Sequence, residues 1–274
     1  DDVEIVAIND LTDTKTLAHL LKHDSTYGTY HHEVTHDENN IIIAGKKIRV
    51  LSEKEPASLP WSDYEVDAVI ESTGLFVDPA KARVHIEAGA KKVVISAPAK
   101  GEGAKFIVLG VNEDTLTQSD EIISNASCTT NCIAPIMAIL DREFGIEKSM
   151  MTTVHSYTAS QKILDAPARD LREARAAAEN IVPTTTGAAI ATAKVVPNLA
   201  GKFDGLSVRV PTPTVSLSDI TAVIRRETTI EEIQNTMFLI YSKNLNFFKN
   251  DYPEIYMKIL DLEKKNIYEY SIDF

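Results

Sequence analysis

Both cysteines of the chain lie in one nine-residue stretch, Ser124-Asn-Ala-Ser-Cys-Thr-Thr-Asn-Cys132. A short apolar run enters this stretch, and the pattern from Cys128 to Phe144 predicts a helix that Gly145 ends. Cys128 therefore opens a helix, where unpaired N–H groups and partial positive charge favour a thiolate over a thiol. Ser127 and Thr129 flank it with hydroxyls, and the amides of a helix start suit an oxyanion or a phosphate. A plain buried cysteine in a capped helix fits the same composition. Cys132 stands one turn further on, away from the activating terminus, and reads as structural.

A reactive thiolate needs a base. His155, in Thr152-Thr-Val-His-Ser-Tyr-Thr158, is the only histidine in the second half of the chain. One helix and one turn separate it from Cys128, a return path that brings imidazole towards sulfur. Spacing alone leaves open a satisfied core histidine. Asp10 closes the first predicted strand, where a carboxylate in a dinucleotide fold hydrogen-bonds the adenosine ribose. No glycine-rich fingerprint precedes it, and Gly101-Glu-Gly103 lacks the third glycine. Thr184-Thr-Thr-Gly187 suits an anion or a helix cap. Arg209, between valines, needs a partner, and a bound anion is one candidate. Arg172 and Arg175 fit a solvated helix face. His31, His32 and His36 lack the acidic or thiol ligands of a metal site and read as a solvated loop, so no metal is expected.

These residues need elements to hold them. The expected order is a strand over Val3–Ile8, a helix over Thr14–Leu21, two short strands in Ile41–Leu51, and a strand over Val66–Glu71. A helix follows, with Asp78 as cap and Pro79 at its first position, running to Glu87 or Ala88. Strands at Lys92–Ser96, Phe106–Gly110 and Glu121–Ser124 come next. Alternating strands and helices suggest parallel βαβ units in a doubly wound sheet. After Lys148 the strands Met150–Ser156, Leu206–Val210 and Val215–Arg225 suggest a mixed or antiparallel sheet. The expected fold is α/β, a doubly wound sheet over 1–148 followed by a mixed or antiparallel sheet over 149–235 and a tail over 236–274. That tail contains no Gly and no Ala but half of the aromatics, and 252–270 has amphipathic helical spacing.

The 274 residues carry a formal net charge of −12, which argues against non-specific binding to nucleic acid or anionic lipid. Two cysteines four apart cannot staple distant parts of a fold, which points to a reducing compartment. There is no basic-then-apolar leader pattern and no apolar run of membrane-spanning length, so the expectation is cytoplasmic.

Over residues 1 to about 235 the chain resembles phosphorylating glyceraldehyde-3-phosphate dehydrogenase of bacterial type. The resemblance is carried by Val6–Asp10, Val69-Ile-Glu-Ser-Thr-Gly74, Val94–Pro98, Ser124–Cys132, Thr152–Thr158, Ile181–Ala189 and Val208–Thr214. It implies Cys128 as nucleophile and His155 as its acid/base partner. It implies NAD as cofactor, with Asp10, Thr73 and Ser96 contacting it. Ser127, Thr129, Thr186 and Gly187 match the family's site for inorganic phosphate. Thr158 and Arg209 match its site for the phosphate of glyceraldehyde 3-phosphate. The resemblance further implies that 1–148 is a partial Rossmann-like nucleotide-binding domain, 149–235 an incomplete α+β catalytic domain and 236–274 a non-family tail. A homotetramer is implied, with Ala166–Asn180 near its interfaces.

The sequence departs from the family in three places. It begins at what resembles the second strand of the nucleotide domain, without the first strand, glycine-rich turn and helix. Loss of that central strand is expected to leave two flanking strands with unpaired inner edges. After about Asn235 the family's remaining strands, its nicotinamide-orienting asparagine and its last helix find no counterpart, and the loss of Gly and Ala suggests a frame change or fusion. Glu173 follows Arg172 where many members have a second arginine. The competing readings are an inactive remnant of the family, a related erythrose-4-phosphate dehydrogenase, and an interaction protein using the aromatic tail.

Overall fold

A computed structural model describes residues 3–237. The amphipathic segment 252–270 lies outside the described residues. The first unit holds β1 (Ala7–Asn9), α1 (Thr14–Lys22), β2 (His23–Asp24), β3 (Gly28–Thr29), β4 (Val34–His36), β5 (Asn40–Ile43) and β6 (Lys46–Leu51). Asp13 starts α1 by accepting the Thr16 N–H at 2.9 Å. The sheet order is β1-β6-β5-β4, with β1 parallel to β6 and the rest antiparallel. The expected strand over 3–8 shortens to Ala7–Asn9, because pairing with β6 covers only Ala7↔Arg49 to Asn9↔Leu51.

The second sheet is built from β7 (Ala68–Glu71), β8 (Lys92–Ile95), β9 (Lys105–Phe106) and β10 (Ile122–Ser124), in the order β7-β8-β10-β9 and parallel throughout. Among the described residues, β1 and β7 are end strands of two separate sheets. Between β7 and β8 the expected single helix is divided at Arg83 into α2 (Pro79–Ala82) and α3 (Val84–Glu87). Asp78 caps α2 as its sequence suggests. At the division His85 turns inward and is buried. Gly89 then takes φ +111°, and a Cβ there would meet the Ser62 backbone nitrogen at 2.7 Å, so only glycine fits. The strand expected over 106–110 stops at Phe106. Asn112 turns the chain there, accepting the Val108 N–H and donating to the Phe106 carbonyl.

The remaining elements are α4 (Cys128–Phe144), β11 (Ile146–Ser156), β12 (Val182–Thr184), α5 (Ala188–Val195), β13 (Phe203–Val210) and β14 (Ser216–Ile224). Their sheet, β12-β13-β11-β14, is mixed: β11 and β13 are parallel and the other pairs antiparallel. On α4 the buried residues Thr130, Ile133, Ala134, Met137 and Phe144 follow the helical repeat. Ile133 and Met137 pack with Ile146, Met151, Ala188, Leu199 and Phe203. Each large apolar side chain buried in this way contributes roughly 1.5–3 kcal/mol. Gly145, at φ +70°, ends α4 and reverses the chain into β11. Among the described residues no helix is long and apolar enough to cross a membrane.

Candidate active site at the start of the cysteine helix

The parallel strands β7, β8 and β10 deliver their loops at one end of the sheet, the end where ligands bind in open α/β folds. Ser124 ties two of these loops together. Its buried hydroxyl donates to the Ala97 carbonyl at 2.8 Å and accepts the N–H groups of Ala99 and Ala126. Ala126 is held at φ +55°, a conformation that a residue with a Cβ adopts at a cost. Ser127 then caps α4: its Oγ accepts the Thr130 N–H at 3.0 Å and shares a hydrogen with Thr130 Oγ1. The amides of Cys128 and Thr129 have no partner among the described residues. They point a partial positive charge at whatever binds beside the sulfur.

From Gly145, β11 runs back beneath α4. About 24 Å of helix is answered by about 30 Å of strand, so the end of β11 arrives under the start of α4. His155 lies on the face of β11 that also buries Met151 and Thr153. Its Nε2 stands 3.5 Å from Cys128 Sγ, and Thr129 Oγ1 is 4.0 Å from the same sulfur. On the other side of the ring, Nδ1 is 2.7 Å from the Ser156 carbonyl. A carbonyl only accepts, so Nδ1 carries the proton and Nε2 presents a lone pair to the sulfur. This tautomer is assigned from the hydrogen bonds.

Arg209 is the register partner of His155 across the parallel pair β11–β13. Its Nη1 donates to the Ser156 carbonyl at 3.0 Å and also lies 3.0 Å from His155 Nδ1. The second contact cannot be a hydrogen bond while Nδ1 holds its proton, so the carbonyl bond is the one that counts. Burial lowers the pKa of the Arg209 guanidinium, and the Cys128 and Glu173 charges oppose that shift. Among the described residues no carboxylate lies within ion-pair distance of Arg209. Glu173 instead accepts the Thr184 hydroxyl. Arg172 pairs with Asp170 at 2.6 Å and Arg175 with Asp165 at 2.7 Å, in a 3₁₀ turn and its flank rather than a helix face.

Cys128, Ser127, Thr129, His155 and Arg209 thus form one constellation. The other expected residues stand apart from it in hydrogen bonding. Thr158 follows β11 and meets Ser160 Oγ at 2.9 Å. Thr186 accepts the Ala188 N–H, and Gly187 is the cap of α5. Asp10 follows β1 and accepts the Thr12 N–H through Oδ1, leaving Oδ2 without a partner among the described residues. Ser96 donates its N–H to the Glu71 carbonyl, joining the loops after β8 and β7. Thr73 follows β7 and rests on Glu71. A carboxylate with a free oxygen and two exposed hydroxyls, each just past the carboxyl end of a parallel strand, fit the ribose and amide groups of a dinucleotide. Sequence reasoning missed Ser124, Glu71 and His85 as supports, because each acts through a contact remote in sequence.

The two thiols differ in setting. Both are free. Both residues are exposed, but partial desolvation of the Cys132 thiol, and then the nearby Cys128, raise its pKa, so less of it is thiolate at neutral pH. Iodoacetamide at pH 7 is expected to modify Cys128 faster than Cys132 by on the order of ten-fold. Cys132 should gain reactivity only in alkali. Fragment-ion mass spectrometry locates the label, and equal modification at pH 7 would contradict this assignment.

Two family models match the chain. One, described as glyceraldehyde 3-phosphate dehydrogenase, NAD binding domain, matches residues 1–79. The other, described as the C-terminal domain of the same enzyme, matches residues 127–271 and so extends through the compositionally distinct tail. The glyceraldehyde-3-phosphate dehydrogenase of Streptomyces coelicolor is 58% identical over 233 residues, which is 85% of this chain and 69% of that protein. The Geobacillus stearothermophilus enzyme is 55% identical over the same length, again 85% of this chain and 69% of the relative. Glyceraldehyde-3-phosphate dehydrogenase 1 of Bacillus subtilis is also 55% identical over 233 residues. With the cysteine and histidine in contact at a helix start, and with both domain models matched, the chain belongs to the glyceraldehyde-3-phosphate dehydrogenase family.

Proposed function

We propose that the chain oxidises glyceraldehyde 3-phosphate with NAD and inorganic phosphate to 1,3-bisphosphoglycerate, with Cys128 as the nucleophile. The observation that carries this reading is the 3.5 Å approach of His155 Nε2 to Cys128 Sγ at the start of α4. Nε2 takes the thiol proton, and the thiolate adds to the aldehyde carbon. The free amides of Cys128 and Thr129 stabilise the charge that develops on the former carbonyl oxygen. His155 Nε2 returns its proton to that oxygen, giving a thiohemiacetal and a neutral imidazole. His155 then withdraws the hydroxyl proton as the C–H bond breaks. Asp10, Thr73 and Ser96 would hold NAD, which would supply the hydride acceptor when bound, and loss of the hydride leaves a thioester on Cys128. An oxygen of inorganic phosphate attacks the thioester carbon, the C–S bond breaks, and the Cys128 thiolate leaves. Ser127, Thr129, Thr186 and Gly187 hold that phosphate, and Thr158 and Arg209 hold the phosphate of the substrate.

A half-buried guanidinium with no carboxylate partner among the described residues supports the anion role of Arg209. The names of the relatives favour the three-carbon aldehyde over erythrose 4-phosphate. Helix α4 packs against the parallel sheet through Ala134 and against the mixed sheet through Ile133 and Met137, so a division near residue 148 falls just after a helix that both units share. A homotetramer and a cytoplasmic location complete the proposal, and two free cysteines are consistent with a reducing compartment.

The test is phosphate-dependent NADH formation by the full chain and by Arg209→Leu. The variant is expected to raise KM for glyceraldehyde 3-phosphate by about 10- to 100-fold. Oxidation of unphosphorylated glyceraldehyde should change little. Equal losses with both aldehydes would remove Arg209 from the substrate-phosphate site, and absence of phosphate-dependent turnover in the unaltered chain would remove the reaction itself.

A further inference from the structure

Beneath the loop that follows β7 lies a buried polar chain that the reaction above does not use. Trp61, from the segment before β7, donates its indole N–H to His85 Nδ1 at 3.1 Å. His85 Nε2 lies 3.0 Å from Glu71 Oε2. Glu71 Oε1 accepts both the N–H of Thr73, at 2.9 Å, and its hydroxyl. Trp61, His85 and Glu71 are each no more than 5% exposed, whereas Thr73 is open to solvent.

The directions of these bonds follow from what each group can do. An indole nitrogen only donates, so His85 Nδ1 must present a lone pair. The ring proton is then on Nε2 and is given to Glu71. An ionised carboxylate only accepts, so both Thr73 contacts are donations from Thr73. Burial acts to raise the Glu71 pKa, but the hydrogen bonds from His85 and Thr73 outweigh it and hold the group below its ordinary value. The Thr73 hydroxyl has therefore committed its hydrogen inward. One of its lone pairs takes the Leu75 N–H at 3.1 Å. Towards a ligand it has only a lone pair to offer.

We propose that Trp61, His85 and Glu71 are positioning residues for the cofactor, a one-way relay that sets the 72–75 loop and presents the Thr73 hydroxyl as an acceptor only. Such a group receives a hydrogen bond from a ribose hydroxyl or an amide N–H and repels an ionised phosphate oxygen. The proposal rests on the reading that Thr73 contacts NAD.

Glu71→Gln keeps the shape and breaks the direction. The amide N–H group must face either the His85 Nε2–H or the two Thr73 donors. Moving the His85 proton to Nδ1 relieves the first conflict only by opposing the Trp61 N–H. Each arrangement leaves a buried donor without an acceptor. Trp61→Phe is a milder second variant, removing one donor while keeping an aromatic ring.

The experiment is calorimetric titration of NAD into the full chain and both variants, alongside the rate of Cys128 alkylation without NAD. Emission of Trp61, the chain's only tryptophan, reports the relay itself. Glu71→Gln is expected to raise the NAD dissociation constant about ten-fold and Trp61→Phe about two- to three-fold, the loss of one buried hydrogen bond being enough for either. The alkylation rate should stay within about two-fold of the unaltered chain, since Cys128 opens α4, a separate element with its own cap at Ser127. Trp61 emission should shift in Glu71→Gln. Unchanged NAD affinity in a folded Glu71→Gln protein overturns the proposal alone. Parallel losses of affinity and Cys128 reactivity in both variants reduce the relay to a fold element and also overturn it. If the unaltered chain binds no NAD while Trp61 emission still shifts in Glu71→Gln, it is the cofactor reading of Thr73 that fails, and the proposal fails with it.

Discussion

In a Cys128→Ser variant, NADH formation from glyceraldehyde 3-phosphate, NAD and phosphate is expected to fall by about 10³-fold or more. The substitution changes one atom. Serine keeps the start of α4 intact, because the cap is Ser127 and its bonds to Thr130 are unaffected. What is lost is a sulfur nucleophile that leaves readily from an acyl group, and a hydroxyl facing the same base ionises far less easily than a thiol. The acyl-enzyme is the sharper readout. Incubation with the aldehyde and NAD without phosphate should add one acyl group to the unaltered chain, seen by intact mass, and none to the variant. Turnover retained within ten-fold would show that the sulfur is not the nucleophile, and the contact with His155 would then be a packing contact.

The second large effect is expected at His155. His155→Asn preserves a donor for the Ser156 carbonyl, in the place of Nδ1, and deletes the basic nitrogen that faces Cys128. The chemical step should slow by about 10²- to 10⁴-fold, the usual worth of a positioned general base. KM for the aldehyde should change much less, because the proposed phosphate contacts through Arg209 and Thr158 do not involve the imidazole nitrogen. The variant should also alkylate more slowly at Cys128, since no acceptor draws the thiol proton. His155 is 7% exposed, so a repacked void is a second way for the variant to fail. The split between kcat and KM separates the two: a void at the end of β11 displaces Arg209 as well and raises KM. Loss of kcat with an unchanged alkylation rate would argue that His155 acts only on the hydroxyl proton and not on the thiol.

The contrast between Cys128 and its supports shows where sequence stops being informative. The helix Cys128–Phe144 was legible because every signal for it is local: a serine cap, an apolar stripe at helical spacing and a glycine past the end. The meeting of Cys128 with His155 was nearly legible, since a helix and a strand of matching length joined by a tight reversal return the chain to its starting level. The parallel second sheet and the mixed third sheet followed from alternation and β-branched residues, whereas the first sheet is antiparallel apart from the β1–β6 pair and includes β4, which was not expected. The errors at Val3–Val6, at 107–110 and at Arg83 have different ranges of cause. At Val3–Val6 the limit is the length of the pairing with β6, and near Arg83 the helix breaks where His85 bonds to Trp61 and Glu71, partners of which local propensity carries no record. At 107–110 the cause is local, the Asn112 side chain bonding the Val108 N–H and the Phe106 carbonyl.

The sequence by itself specified an α/β fold, a cysteine at a helix start and, through the resemblance its motifs carry, the family to which it belongs. Three matters were left to the tertiary structure. Arg209 is brought beside His155 by parallel register across 54 positions, and register depends on which strands pair. Glu71, His85 and Trp61 become one relay only when β7, α3 and the preceding segment close on a shared core. The tautomer of His155 is set by the Ser156 carbonyl and by nothing in its neighbours' identities. Hydrogen-bond direction is a property of atoms in contact, and contact between distant segments exists only once the chain has folded.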